Sequence, residues 1–388
     1  MRPLASVPSR IPRSGIREVM DLAWQVEKTE PVIHLEVGQP DFPTPAHIVE
    51  ATCRHLHEGQ TKYVPNAGVA PLRQAAARYF ERRTGVKTGP ENILVTPGAV
   101  MSVSTAFMAT LEPGDEVLLP DPGWPNYRMA IEVLHAKPVC YSLRPENQFL
   151  PDLDELEKLV SPRTRLLLLC TPSNPTGQVY DAALMQRLMA FASRHDLYVL
   201  SDEIYGDIVF DQAHASALSC DPDGRALIIS GMSKSYAMTG FRVGFTRARP
   251  EYIELAAKLQ EPFVSCGSGF SQLAAAEALD GPQDCVEAMR QAYKRRRDIA
   301  LEVLRQYDLY QYTPGGAFYL LIDISATGLS SRDFMARLLQ EKKVAVAPGS
   351  TFGEISKNHV RISIASAEEN IREGVKRICE LIREPRRN

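Results

Sequence analysis

From Asn92 onward the chain alternates short apolar runs with tight turns and helical stretches. Ile93 to Thr96 leads to Gly98, Glu116 to Leu119 leads to Asp121-Pro122-Gly123, Leu166 to Cys170 leads to Thr171-Pro172, and Leu197 to Ser201 leads to Asp202. Short apolar runs with no polar alternation belong to strands covered on both faces, and intervening helices let such strands run parallel. The pattern predicts an α/β fold with a mostly parallel sheet flanked by helices. Ligands of such sheets collect beyond the carboxyl ends of the strands, so the residues just after each run are the candidates for chemistry.

At 388 residues the chain exceeds what one core usually sustains, so two domains around separate cores are expected. Residues 46–290 form the larger one. Residues 1–45 and 291–388 supply an N-terminal arm and a smaller α+β domain, with strand-like runs at Ala317 to Ile322, Val344 to Val346 and His359 to Ile364. Val32 to Val37 reads as a short strand that leaves through the Gly/Pro-rich turn Gly38 to Pro45. A net charge of −3 and a pI near 6.3 give no basic excess for a nucleic-acid or membrane partner. Arg295-Arg296-Arg297 is short enough to be one turn of a solvated helix. The 7 cysteines are scattered and odd in number, which reads as reduced thiols in a cytoplasmic protein, and the 8 histidines lack metal-ligand spacing, so no metal is expected. Arg2, Arg10, Arg13 and Arg17 against the single acid Glu18 resemble a transit peptide, but an arm packed on a partner subunit is the preferred reading. No run approaches the roughly 18 apolar residues of a membrane span.

The chemistry-bearing residues follow the strands. Ser230 to Gly244, after the apolar Ala226 to Ile229, places Lys234 and Arg242 among small residues. A lysine just past a buried strand is partly desolvated, which disfavours its charge and leaves the amine nucleophilic towards an aldehyde. Arginine supplies a planar fork for phosphate, and pyridoxal 5'-phosphate is the cofactor that needs both groups at once. Two solvated loop charges are the alternative. Pro97-Gly98-Ala99-Val100 opens a helix directly after a strand, where free N–H groups hold a dianion, although such a glycine is common in any α/β protein. Trp124 sits in a loop, either to stack on a flat ring or as core. Asn174 stands between two prolines in a rigid turn. Asp202 lies at the floor of the same cleft, as a partner for a ring nitrogen or as a helix cap, with Tyr205 three residues on. Arg361 is one charge inside the apolar run Val360 to Ile364, a costly placement unless paired.

In this order and spacing the segments resemble fold-type-I aminotransferases, the class I and II (aspartate aminotransferase) family, along essentially the whole chain. The resemblance implies that Lys234 carries the cofactor aldehyde and moves the α-proton of an amino acid. It implies that Asp202 keeps the pyridine nitrogen protonated, that Asn174 and Tyr205 meet the phenolic oxygen, and that Trp124 stacks on the ring. Gly98, Ala99, Val100 and Arg242 would hold the phosphate, Arg361 the substrate α-carboxylate, and Gly38, Asn174 and Trp124 would border the substrate. Tyr63, by itself a loop aromatic, matches a tyrosine that reaches the neighbouring protomer's phosphate, which implies a homodimer with shared sites. The implied reaction is ping-pong transfer of an amino group from an L-amino acid to a 2-oxo acid. Two departures matter. Gly231 stands where many members carry a phosphate-binding serine, leaving Ser230 or Ser233 open. Val100 stands where some bacterial aspartate aminotransferases carry a lysine for the distal carboxylate, which points to a neutral, apolar or aromatic substrate with glutamate/2-oxoglutarate or pyruvate as the second pair. An aspartate aminotransferase, or a carbon–sulfur or aminocyclopropane-carboxylate type lyase on the same fold, remains the alternative. A DNA-binding ligand sensor is disfavoured by the short stretch before Val32.

Overall fold

The computed structural model describes residues 6–11 and 13–385, apart from the side chains of Pro8 and Arg10. The strands, in chain order, are β1 Ile33–His34, β2 Ile93–Thr96, β3 Glu116–Asp121, β4 Lys137–Ser142, β5 Thr164–Cys170 and β6 Tyr198–Asp202. They continue as β7 Ala226–Gly231, β8 Gly244–Arg247, β9 Tyr319–Asp323, β10 Val344–Ala345, β11 Ala347–Pro348 and β12 His359–Ser363. Seven of them form one sheet in the order β2-β8-β7-β6-β5-β3-β4. Only β8 runs against its neighbours, so the expected mostly parallel α/β sheet is present.

The alternation of side chains along each strand explains why these runs are apolar throughout. Leu167 and Leu169 of β5, Val199 of β6 and Ile228 of β7 point into one apolar cluster; Leu166, Leu168, Leu200, Leu227 and Ile229 point into the other. The second cluster is closed by Val103, Ala106 and Phe107 of the helix Ala99–Thr110 and by Tyr252, Ile253 and Ala256 of Pro250–Val264. On the other face lies the helix Ala182–Arg194, started by Asp181, whose carboxylate accepts from Leu184 N–H at 2.7 Å, with Met185, Leu188 and Phe191 buried. A capping carboxylate of this kind is worth about 1 kcal/mol.

β9, β11 and β12 form a small antiparallel sheet, and β1 pairs with β10. The first cluster runs without a break from Leu169 and Val199 to Leu320, Val360 and Ile378. The helix Asp284–Gln306 bridges the two parts, and the expected boundary at 290 falls inside it. The arginine triplet is corrected: it is not a solvated turn. Arg296 and Arg297 are buried, Arg296 holding Asp41 through two hydrogen bonds of 2.7 and 2.8 Å and Arg297 pairing with Asp211 and Asp298. The buried guanidinium is tolerated because its charge is matched and its plane lies over Phe42, 4.8 Å from the ring centre. The first five residues of the expected arm lie outside the described residues. From Gly15 onward the arm is a helix, Gly15–Glu27, that packs Val19 and Ala23 against its own chain.

Candidate active site

Because β2, β3, β5, β6 and β7 all point the same way, their carboxyl ends converge on one cavity of about 600 Å³. It is lined by Ala99 and Val100 after β2, Trp124 and Tyr127 after β3, Asn174 after β5, Asp202 closing β6, Tyr205 beyond it, and Ser233 and Lys234 after β7. Arg361 of β12, Gly38 beyond β1 and Arg242 complete it from the other side. Ten of the twelve residues singled out in the sequence therefore meet in one cleft. Gly98 lies one residue behind the lining, and Tyr63, 91 % exposed, is not part of the lining of its own chain.

The Lys234 ammonium donates to the Gly38 carbonyl at 2.5 Å and lies 5.9 Å from the Tyr205 ring centre. Burial, then the charges of Arg361 and Arg242, push its amine down to about 8, with Asp202 pulling the other way. Asp202 accepts from the Tyr127 hydroxyl at 2.6 Å and from Ile204 N–H at 3.2 Å. Burial pushes its carboxyl up, and the Tyr127 bond opposes that shift. No helix starts at Asp202, so it caps none. Tyr205 and Tyr319 share a hydrogen bond of 2.9 Å between their hydroxyls.

Arg361 is almost wholly buried. Its guanidinium donates to the Glu36 carbonyl and, at 3.2 Å, to Asn174 Oδ1, and lies between the Tyr319 and Phe352 rings, 4.4 and 4.8 Å from their centres. Its Nε is buried and has no partner among the described residues. Arg242 donates to the Thr239 and Pro97 carbonyls, which brings it against Gly98. Gly98 has φ of +83°, and a Cβ there would sit 2.1 Å from Arg242 Nη2, so only glycine lets the guanidinium and the start of the helix Ala99–Thr110 approach. The glycine at 231 also has a packing cause. A side chain at 231 would meet Gly244 Cα at 2.9 Å, so no serine fits, and of the two serines left open Ser233 lines the cavity while Ser230 lies within β7.

Tyr127, Tyr319, Thr239 and the helix residues Ile16, Arg17 and Met20 line the cavity without having been singled out in the sequence. Tyr127 stood three residues after Trp124, and its ring packs edge-on against that indole at 5.3 Å. Its link to Asp202 spans 75 residues and leaves no local signal.

Residues 30–378 match the family model for class I and II aminotransferases. The chain is 39% identical to an aspartate aminotransferase of Pyrococcus horikoshii over 95% of this chain and 94% of that protein. It is 38% identical to an aromatic-amino-acid aminotransferase of Thermococcus litoralis over 96% of both. The solved aspartate aminotransferase of Thermus thermophilus with maleate superposes with a TM-score of 0.94 at 35% identity, covering 98% of this chain and 100% of that one. The converging strand ends, the lysine beyond β7 and these matches together establish that the chain belongs to the class I and II aminotransferases, which move amino groups between amino acids and 2-oxo acids.

Proposed function

We propose that this cleft holds pyridoxal 5'-phosphate and transfers the amino group of a neutral, apolar or aromatic L-amino acid, with glutamate/2-oxoglutarate or pyruvate as the second pair. The observation that carries the proposal is Lys234: an amine with its pKa pushed down to about 8, within the same cavity as one buried carboxylate and three arginines. The residues fit the cofactor. The helix start at Ala99 and Val100, Ser233 and Arg242 form a cradle for a dianion that a side chain at 98 would fill. Asp202 is a buried carboxylate whose charge lacks a matching cation on its own strand, which suits a protonated ring nitrogen. Trp124 gives a flat face, and Asn174 and Tyr205 supply groups for the phenolic oxygen.

When bound, the cofactor supplies an aldehyde that condenses with amines and a ring that draws off the electrons left by a departing α-proton. The chain's own residues do the rest. Arg361, pinned by Glu36 and Asn174 and packed against two rings, offers its guanidinium to the α-carboxylate. Lys234 Nζ, neutral in part near neutral pH, takes the α-proton and returns it. Tyr127 holds Asp202 in place and favours its ionised form. Val100, 38 % exposed, leaves the adjoining wall without charge, which supports a neutral side chain there.

The exposed Tyr63 supports a homodimer in which this tyrosine serves the neighbouring site. Residues 46–290 are proposed as the cofactor-holding domain, with 1–45 and 291–388 as the part that brings Arg361 and Gly38 to it. Free cysteines suit a cytoplasmic setting. Among the described residues no helix is long and apolar enough to cross a membrane, and no cluster of side chains suits a metal ion. The test is a panel of amino donors against 2-oxoglutarate and pyruvate, with Lys234→Ala as control. Keto acid formed from neutral donors, and lost in the variant, is expected. Ammonia or thiol release in place of a keto acid overturns amino transfer.

A further inference from the structure

Four cations line the cleft, and three are already engaged. Lys234 donates to Gly38, Arg242 to Thr239 and Pro97, and Arg361 to Glu36 and Asn174. The fourth is Arg17, in the first turn of the helix Gly15–Glu27, beside Ile16 and Met20 on the cavity wall. Its guanidinium is exposed and has no hydrogen-bond or ion-pair partner among the described residues. The acids of its own helix are taken elsewhere: Glu18 by Arg332, Asp21 by Arg13 at 3.9 Å, and Glu27 by His34 at 3.4 Å. Asp202 is the one carboxylate in the lining, and it lies on the strand side. An arginine guanidinium without a counter-ion, facing a cavity with other positive charges, is suited to an arriving anion.

We propose that Arg17 recognises the second carboxylate of a dicarboxylic substrate, the amino donor or 2-oxo acid that alternates with the neutral one. The inference rests on the amino-transfer reading and deepens it. With Arg242 set against the phosphate cradle and Arg361 against the α-carboxylate, the distal carboxylate has Arg17 left as its fork. The position explains how one cleft serves two substrate classes. An exposed arginine remains hydrated when a neutral side chain lies along Val100, so no buried charge is stranded. When a distal carboxylate enters, the same side chain offers two parallel N–H donors. A charge at the rim selects more than it tightens, so the expected effect is on the order of tenfold.

The test uses the cofactor-loaded enzyme and the variants Arg17→Gln and Arg17→Glu. The readouts are the ratio of kcat/KM for glutamate over alanine, and the calorimetric affinity for glutarate and butyrate, two unreactive acids that differ in one carboxylate. Arg17→Gln should lower the glutamate/alanine ratio about tenfold, mainly through KM, and lower glutarate affinity relative to butyrate by a similar factor. Arg17→Glu should lower both further by repulsion. The proposal fails if Arg17→Gln leaves the ratio within twofold of wild type, if both substrates lose equally, or if Arg17→Glu is no worse than Arg17→Gln. A wild-type enzyme that transfers no amino group at all sinks the underlying reading instead, and the glutarate comparison, which needs no turnover, still decides on Arg17.

Discussion

At Lys234 burial and two arginine charges act in the same direction, so the amine gives up its proton more readily than a solvated lysine. Only the neutral amine attacks an aldehyde. Uptake of pyridoxal 5'-phosphate by the apoprotein, followed by absorbance, should therefore speed up about tenfold per pH unit below pH 8 and level off above it. A solvated lysine would show its plateau near pH 10.4 instead. The same shift has a stability consequence. The unfolded chain binds a proton that the native state resists, so this lysine destabilises the apoprotein below about pH 8, and the effect fades as pH rises towards the unfolded value of 10.5. Lys234→Met should raise apoprotein stability at pH 7 by roughly 1–3 kcal/mol, less at pH 10, while abolishing turnover; chemical denaturation at the two pH values checks it. Tyr127→Phe removes the hydroxyl that opposes the upward shift of Asp202. Its kcat should fall about tenfold with little change in KM, and the acid limb of the kcat profile should move to higher pH.

Among the elements, most of the longer buried strands were legible as apolar runs, whereas β4 and β8 were not. β4, Lys137–Ser142, is an edge strand with half-exposed residues and a proline at its second position, which hides the apolar signal. β8, Gly244–Arg247, is short and buried inside the lysine motif's downstream end, so its chemistry masked its pairing. The contact between β7 and β8 is also where the sequence looked irregular. Gly231→Ser should destabilise the protein by roughly 1–3 kcal/mol, read as a lowered Tm, because the new side chain meets the Gly244 backbone, and it should not improve cofactor affinity. Asp41 belongs to the segment after β1 and anchors it to the helix Asp284–Gln306 through Arg296. Asp41→Ala leaves that buried guanidinium unpaired and should cost about 2–4 kcal/mol in denaturant unfolding.

For the molecule as a whole, the exposed Tyr63 gives the shared-site proposal a direct check. Mixing inactive Tyr63→Ala and Lys234→Ala proteins under conditions that exchange subunits should restore activity, since a hybrid dimer holds one cleft with both defects and one with neither. No recovery, with hybrids shown to form, would mean that each chain works alone. What the sequence determined by itself was the layered architecture and the positions after each strand where chemistry would sit. Both follow from local causes: burial on two faces makes a strand apolar, and a parallel sheet sends every such turn to one edge. The tertiary structure decided what touches what across long separations: Tyr127 on Asp202, Arg296 on Asp41, Gly244 against residue 231, one core running through both sheets, and Arg17 at the cleft. Those pairings are set by how elements far apart in the chain pack and by which charges are left without partners, and no local run of residues records either.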